Sequence, residues 1–179
     1  NGFGCHVIAY DPYPSNLPSV DYVSLDSLFE RSDIISLHCP LTPETHHLLN
    51  ASAFSKMKKD VVLINTGRGA LIDTKVLIEC LKKGKILAAG LDVYEEEEEV
   101  FFHDLSATGL QDDLLARLLT FPNVLITSHQ AFLTREALHN IAQLRNITRD
   151  PRVAPKRWLI TKTRGAQGMT LCIKLFDLE

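Results

Sequence analysis

The chain has 179 residues, of which 45% are hydrophobic and 23% are charged, proportions typical of a folded globular protein. This length suits one ordinary domain and leaves no room for a large two-domain enzyme. Its 19 basic and 22 acidic residues give a formal net charge of −3, so the composition provides no general positive surface for nucleic acid.

No apolar stretch approaches the ~20 residues that a membrane-spanning helix needs, and the N-terminus lacks the pattern of a signal peptide. The cysteines are widely spaced and form no CxxC pair, which favours reduced thiols over a disulfide framework or a zinc site. They are Cys5, Cys39, Cys80 and Cys172. We therefore expect a cytoplasmic protein with no membrane or nucleic-acid partner and no metal site.

Short apolar runs alternate with segments of helical periodicity, which is the pattern of a parallel β-sheet covered by crossover helices. Most of these runs are apolar on both faces, as a sheet buried on both sides requires. The sequence therefore predicts an α/β fold. Its strands are predicted at residues 6–10, 33–38, 61–65, 86–93 and 124–127.

Segment 73–85 has the clearest helical pattern. Asp73 or Thr74 can cap its N-terminus, and Gly84 can end the helix after two lysines. The predicted buried stripe consists of Val76, Leu77, Cys80 and Leu81. Further helices are predicted at residues 24–32, 51–57, 110–119 and 134–147.

Asp11 directly follows the first predicted strand. A Rossmann-type fold carries an acidic residue at such a position, where it binds the adenosine ribose hydroxyls of a dinucleotide. An Asp before Pro12 is also an ordinary turn residue. The GxGxxG motif expected before this strand is absent.

Three further residue types indicate acid–base chemistry. Arg68 lies between two glycines after the third predicted strand, where its guanidinium could hold a carboxylate or simply occupy a surface turn. His129 follows the fifth strand, and histidine is readily protonated near neutral pH. Five glutamates follow Tyr94, and most are expected to be solvated. An Arg, a Glu and a His together could bind a 2-oxo acid and protonate its carbonyl.

Five blocks of the sequence resemble, in family order, those of the D-isomer-specific 2-hydroxyacid dehydrogenases. The similarity covers residues 1–147 and is carried by GFGCHVIAYDPYP, DIISLHCPLTPETHHLLN, MKKDVVLINTGRGALIDT, AAGLDVYEEE and NVLITSHQAFLTREAL. The segment FFHDLSATGLQDDLLARLLTFPNV is similar to the D-lactate dehydrogenase branch in particular. Five ordered blocks are far more specific than any single motif.

The resemblance implies a Rossmann-like, doubly wound parallel sheet with NAD as cofactor. Arg68 would hold the carboxylate of a 2-hydroxy or 2-oxo acid, and His129 would give its proton as hydride arrives from NADH. The family's acidic residue lies five positions after Asp92, which selects Glu97 to orient His129 and favour its protonated form. The implied coenzyme contacts are Asp11, Cys39, Pro40, Thr45, Thr66, Gly67 and Asp92.

The family pattern also includes a substrate-binding segment, a first strand, a glycine loop and a first helix, none of which precedes Asn1. We therefore expect a partial NAD-binding domain over residues 1–147 and an unmatched basic tail over residues 148–179. The favoured hypothesis is an oxidoreductase domain that interconverts D-lactate and pyruvate in the complete enzyme, as a homodimer or with the missing domain supplied by another chain. The alternative is a catalytically inactive fragment or a non-catalytic NAD- or protein-binding regulatory module.

Overall fold

The structure, a computed structural model, describes residues 4–14, 20–101, 105 and 109–149. Within these ranges all strand pairings are parallel, and the strands form one two-stranded and one four-stranded sheet. The predicted parallel α/β fold is therefore confirmed. The first sheet consists of β1 (Ile8–Ala9) and β2 (Asp21–Tyr22), and the second contains, in spatial order, β3 (Ile34–Leu37), β4 (Val61–Asn65), β5 (Ile86–Leu91) and β6 (Val124–Ile126).

All five predicted strands are present. The bounds of β4 agree with the prediction, whereas the other four strands are shorter by one to three residues. The short strand β2 was not predicted, because two residues without an apolar run give no periodic signal. It is held against β1 by parallel pairing of Asp21 with Ile8.

The strand register aligns the carboxyl ends of the larger sheet. Leu37 pairs with Asn65, Asn65 with Leu91, and Leu91 with Ile126, so these four residues form one row across the sheet. The segments that follow them therefore leave the sheet at the same edge. Ligands of parallel α/β sheets usually bind at this edge.

Polar side chains cap the first turn of the helices that begin at residues 25, 51, 74 and 113. Asp73 resolves the choice that the sequence left open, since its Oδ1 atom accepts a hydrogen bond from Val76 N at 3.1 Å. Gly84, with φ of 65°, follows the end of this helix as predicted. The helices are α1 (Leu25–Arg31), α2 (Ala51–Lys56), α3 (Thr74–Lys82), α4 (Glu97–Val100), α5 (Asp113–Leu119) and α6 (Arg135–Arg149), with a 3₁₀ turn at Gly69–Leu71.

The buried face of α3 differs from the predicted stripe. Leu77 and Leu81 are buried as predicted, but Ile78 is buried as well, whereas Val76 and Cys80 are only half-buried. Val76 and Cys80 nevertheless pack against the buried core, so the prediction for these two residues is confirmed only in part. Helix α3 packs against both α5 and β5. Packing against a helix as well as a strand extends its buried face to Ile78.

One hydrophobic core connects the two sheets. Ile8 of β1, Leu28 of α1, Ile35 of β3 and Leu63 of β4 belong to the same buried cluster and are at most 1% exposed. Burial on both faces fails at the outer strand, because Leu125 of β6 is 68% exposed. The alternating pattern of an edge strand thus replaces the expected two-sided burial there.

The predicted domain boundary falls inside α6, which continues to Arg149, two residues beyond residue 147. Residues 150–179, almost all of the predicted tail, lie outside the described residues. Among the helices that the structure describes, none combines the length and the apolar character needed to cross a bilayer.

Candidate active site

The predicted site residues gather at the carboxyl ends of the strands. Asp11 comes two residues after β1, Cys39 two after β3, Arg68 three after β4, Asp92 one after β5 and His129 three after β6. Because β3 to β6 are parallel and in register, the segments that carry Cys39, Arg68, Asp92 and His129 share one edge of the larger sheet. The edge brings together residues from distant parts of the chain.

Glu97 and His129 form a direct contact. Glu97 opens α4, and its Oε1 atom lies 2.9 Å from Nδ1 of His129, while its Oε2 atom accepts a hydrogen bond from Tyr94 N at 3.1 Å. Their side chains are 15% and 27% exposed. An ionised carboxylate accepts only, so Nδ1 carries the donated proton and Nε2 is the nitrogen available to a ligand.

Asp92 fixes the loop that carries His129. Its carboxylate accepts hydrogen bonds from Gln130 N at 2.8 Å, from Ala131 N at 2.7 Å and from the Thr127 hydroxyl. Its backbone carbonyl accepts a further bond from His129 N at 2.7 Å. Burial by itself raises the pKa of Asp92, but these hydrogen bonds outweigh it and hold the pKa below its ordinary value.

These bonds explain the unusual backbone of His129, which has φ of 52° in the left-handed region. The loop around it is held by the Asp92 carboxylate on one side and by the Asp92 carbonyl on the other. Asp92 is itself only 6% exposed. In this structure Asp92 therefore anchors the His129 loop, and its predicted place beside the nicotinamide stays a prediction.

A side-chain clamp shapes the turn that presents Arg68. The buried Asn65 side chain accepts from Gly67 N at 3.0 Å and donates to the Arg68 carbonyl at 2.9 Å. The exposed Arg68 guanidinium donates through Nη1 to the Gly67 carbonyl at 2.7 Å. Thr66 is also exposed, at the start of the same turn. The turn thus directs a cation to the solvent side of the strand ends.

Gly69 joins the Arg68 turn to the loop that carries Glu97. A Cβ atom at Gly69 would lie 2.0 Å from both the carbonyl carbon and the oxygen of Tyr94, so the two backbones meet with no space for a side chain. Tyr94 in turn donates its hydroxyl to the Asp112 carboxylate at 2.7 and 2.9 Å. The close approach of Gly69 to Tyr94 fixes the distance between the backbone next to Arg68 and the loop that carries Glu97.

Asp11 has a buried oxygen that is free to accept a hydrogen bond. Its Oδ1 atom accepts from Tyr13 N at 2.8 Å, whereas its Oδ2 atom has no partner among the described residues. Buried polar atoms normally have one, so an unpaired carboxylate oxygen suits a ligand hydroxyl. The ribose hydroxyls of NAD are donors of this kind, and the residue therefore fits the predicted coenzyme contact.

Cys39, Pro40 and Thr45 build a turn after β3. The Thr45 hydroxyl accepts from Thr42 N at 2.7 Å and donates to the Pro40 carbonyl at 2.7 Å. Cys39 is 5% exposed, and burial raises the pKa of its thiol to about 11, so it stays neutral at physiological pH. These residues form an uncharged turn that is held by hydrogen bonds of Thr45. Their contacts with the coenzyme stay predictions.

The contacts also identify residues that the sequence analysis did not select. Asn65 and Thr127 shape the Arg68 and His129 turns, and Gly69 sets the approach of the acidic loop. Asn65 and Thr127 are polar residues at the ends of apolar runs, which is the signal that the sequence offers for them. Only the folded chain shows that Gly69 faces the Tyr94 backbone.

Among the described residues, one recess lies at each end of the strands. The larger, about 690 Å³, lies between α2 and α3 and is lined in part by Lys59 and Lys85, which precede β4 and β5. The smaller, about 380 Å³, includes Thr127, Ser128 and Gln130 next to the His129 loop. Neither recess is lined by Arg68, Glu97 or His129. We therefore place the site at the carboxyl ends of the strands, where the polar residues converge.

Comparison with known proteins assigns this arrangement to a family. The family model described as "D-isomer specific 2-hydroxyacid dehydrogenase, NAD binding domain" matches residues 1–131 of the chain. The chain belongs to this family. The predicted family is thereby confirmed, and NAD is the coenzyme of its domain.

Three relatives illustrate the similarity. The chain is 55% identical over 145 residues to the D-lactate dehydrogenase of Escherichia coli strain K12, a match that covers 79% of this chain and 44% of that protein. The structure of D-2-hydroxyisocaproate dehydrogenase is similar with a TM-score of 0.75 at 44% identity, covering 80% of this chain and 44% of that one. The D-lactate dehydrogenase of Aquifex aeolicus, complexed with NAD and lactic acid, is similar with a TM-score of 0.74 at 38% identity, covering 80% and 45%.

The family assignment concerns one domain. The chain spans about 44% of the Escherichia coli protein and 45% of the Aquifex aeolicus chain. The matched residues therefore form an NAD-binding domain of the D-2-hydroxyacid dehydrogenase type.

Proposed function

We propose that this chain carries the coenzyme-binding and proton-transfer part of an NAD-dependent dehydrogenase that interconverts D-lactate and pyruvate. The observation that carries the proposal is the contact between His129 Nδ1 and Glu97 Oε1 at 2.9 Å, at the carboxyl edge of the sheet. A histidine held by a carboxylate through one nitrogen has the other nitrogen available for proton transfer.

The proton step follows from this pair. NADH, when bound, supplies the hydride that pyruvate receives at its carbonyl carbon. Protonated His129 gives the proton on Nε2 to the carbonyl oxygen, which becomes the hydroxyl of lactate. The ring is then neutral and keeps its remaining proton on Nδ1, hydrogen-bonded to Glu97. In the reverse direction Nε2 accepts the hydroxyl proton.

Arg68 supplies the charge that a 2-oxo acid requires. A guanidinium has five N–H donors in a planar arrangement, and only one contact, to the Gly67 carbonyl, is made within the turn. The remaining donors can hold a substrate carboxylate through two parallel hydrogen bonds. Binding of the carboxylate by Arg68 would place the neighbouring carbonyl for proton transfer from His129.

Asp11 favours NAD over NADP. Its Oδ2 atom, which has no partner in the described part of the chain, can accept a hydrogen bond from a ribose hydroxyl. A carboxylate at this position also repels a 2′-phosphate. Thr66, Gly67 and the Cys39–Pro40 turn are the further coenzyme contacts that we propose.

The choice of D-lactate rests on similarity. The basis is the 55% identity to the D-lactate dehydrogenase of Escherichia coli. D-2-hydroxyisocaproate dehydrogenase, at 44%, lies between this protein and the Aquifex aeolicus D-lactate dehydrogenase, at 38%. D-lactate and D-2-hydroxyisocaproate differ in the size of the hydroxy acid, not in the chemistry at its second carbon. We therefore propose the same reaction in either case and the smaller acid as substrate.

The test begins with a titration of the purified chain with NADH, followed by fluorescence, for the wild type and Asp11→Asn. We expect saturable binding that the variant weakens at least tenfold, with little change in its thermal unfolding, since the variant removes the charge of a carboxylate that has one unpaired buried oxygen. Absence of NADH binding by a chain shown to be folded by circular dichroism would refute the coenzyme site.

Pyruvate reduction is then measured for Arg68→Ala and His129→Gln. The matched controls are Arg135→Ala and His139→Gln, which alter exposed residues of α6. Turnover that is lost in the first pair and retained in the second supports the proposal. NADH binding without any turnover by the wild type would instead favour a non-catalytic NAD-binding module.

A further inference from the structure

His46, His47 and Glu95 bring three metal-ligand atoms together outside the proposed proton-transfer pair. One ligand atom from each residue lies within 4.8 Å of the other two. His47 Nε2 lies 2.6 Å from Glu95 Oε1, and the two imidazole rings stack with centroids 4.0 Å apart and planes inclined by 27°. The cluster thus contains two imidazoles and a carboxylate, contributed by two distant segments of the chain.

The backbone around His47 is fixed. His47 has φ of 50°, in the left-handed region, and its N–H donates to the Ala70 carbonyl at 2.8 Å. Leu49 N donates to the Leu71 carbonyl at 3.0 Å, so the turn is held along the segment that precedes α3. A ligand on a fixed backbone loses little conformational freedom when it binds an ion.

Two carboxylates beside His47, those of Glu95 and Asp73, also have defined positions. Glu95 Oε2 accepts from Thr74 N at 3.3 Å, which fixes the Glu95 side chain beside the start of α3. Asp73 Oδ2 lies 3.9 Å from His47 Nδ1, on the side of the ring away from Glu95. Metal-binding histidines commonly have a carboxylate near the nitrogen that does not bind the ion, where it orients the ring.

This donor set selects the class of ion. Imidazole nitrogens suit Zn²⁺, Ni²⁺ and Cu²⁺, whereas Mg²⁺ and Ca²⁺ prefer sites made of oxygen alone. A tetrahedral ion with bonds of about 2.1 Å holds its ligand atoms roughly 3.4 Å apart. Small side-chain rotations bring atoms that lie within 4.8 Å to this spacing. His46 is exposed, so water can complete the coordination.

We propose that the chain binds one divalent transition-metal ion, such as Zn²⁺, through His46, His47 and Glu95. The ion takes the place of the proton shared by His47 Nε2 and Glu95 Oε1, and that proton is released to solvent. Binding of the ion links the turn at residues 43–48 to the loop at residues 94–97, which ends at Glu97, the first residue of α4.

The experiment is an isothermal titration of the full 179-residue chain with Zn²⁺ in the absence of coenzyme. We expect one ion per chain and at least a tenfold loss of affinity in His46→Gln and in Glu95→Gln, because changes around a metal site typically cost 10–100-fold even outside the ligand set. His139→Gln is the matched control, since it removes an exposed histidine of α6, and its affinity should equal that of the wild type.

Two outcomes would overturn the proposal. One is equal Zn²⁺ affinity in all four proteins, and the other is no binding by a wild-type chain whose circular dichroism shows that it is folded. Titration with Co²⁺ provides a second measurement, because a strong thiolate-to-cobalt absorption band would assign the ion to cysteine instead. Since no coenzyme or substrate is present, failure here is independent of failure of the proposed dehydrogenase function.

Discussion

The Nδ1 atom of His129 lies 2.9 Å from Oε1 of Glu97, although the two residues are 32 positions apart in the sequence. The contact depends on two loops that are fixed separately. Asp92 holds the His129 loop, while the Tyr94 backbone holds the second oxygen of Glu97. Acid–base geometry at this edge is therefore a property of the packed loops.

Glu97→Gln should slow pyruvate reduction by about 10²-fold or more, because an amide of nearly the same shape no longer stabilises the positive ring from which the proton is given. The measurement is the turnover number with saturating NADH and pyruvate. Glu98→Gln is the matched control, since Glu98 is the exposed neighbour in the same run of glutamates. Equal rates for the two variants would remove Glu97 from the mechanism.

Gly69→Ala should destabilise the fold by about 3 kcal/mol, because its Cβ atom would overlap the Tyr94 backbone at 2.0 Å. Gly67→Ala is the matched comparison, since a Cβ atom there meets its nearest neighbours at 3.4–3.5 Å, which is ordinary contact. Urea unfolding measures the free energy of both variants. A Gly69→Ala protein as stable as Gly67→Ala would contradict the close approach.

Asp92→Asn should cost about 2–3 kcal/mol near neutral pH, because the charged acceptor is lost and an amide N–H is placed against a backbone donor. The pKa of Asp92 is held below its ordinary value of 3.8. A lowered pKa in the folded state stabilises the fold above the unfolded-state value, and this contribution disappears as pH falls through the folded-state value.

The difference in unfolding free energy between wild type and Asp92→Asn should therefore be constant from about pH 5 to pH 8 and shrink below about pH 4. Urea unfolding at several pH values measures it. A difference that does not change down to pH 2 would show that the ionised carboxylate is not responsible.

The buried Cys39 thiol should lower the free energy of unfolding at alkaline pH. Burial raises the pKa of its thiol from the ordinary value of 9.0 to about 11, so the unfolded chain loses this proton first as pH rises. The stability linked to the neutral thiol is complete below pH 9 and is lost as pH rises through about 11. Two pKa units correspond to about 3 kcal/mol.

The comparison protein is Cys39→Ala, which cannot ionise at this position. Relative to this variant, wild type should lose stability between about pH 9 and pH 11, as measured by urea unfolding. Parallel stability curves for the two proteins across this range would show that the thiol is accessible to water in the folded state.

Local sequence patterns predicted most of the elements. Strand β4 has its predicted bounds, because an apolar run of β-branched residues between turn residues gives an unambiguous signal. Helix α3 begins at the predicted cap and ends before the predicted glycine. The buried face of α3 was only partly predicted, because it depends on α5, a helix that is distant in the sequence.

The candidate site divides in the same way. Motif order identified Arg68, Glu97, His129 and Asp11, and the structure joins Glu97 to His129 directly. The sequence did not reveal the clamp made by Asn65. It also gave no sign that His47 and Glu95 meet, since neither residue belongs to a local metal-binding motif.

The sequence by itself thus determined the parallel α/β class, the family and the chemical type of each site residue, because these properties depend on local periodicity and on motif order. Only the tertiary structure decided which atoms meet. It placed the Glu97 carboxylate on Nδ1 of His129, packed Gly69 against Tyr94 and buried one oxygen of Asp11 that has no partner among the residues the structure describes. Such contacts require strand register and loop packing between distant segments, which no local pattern encodes.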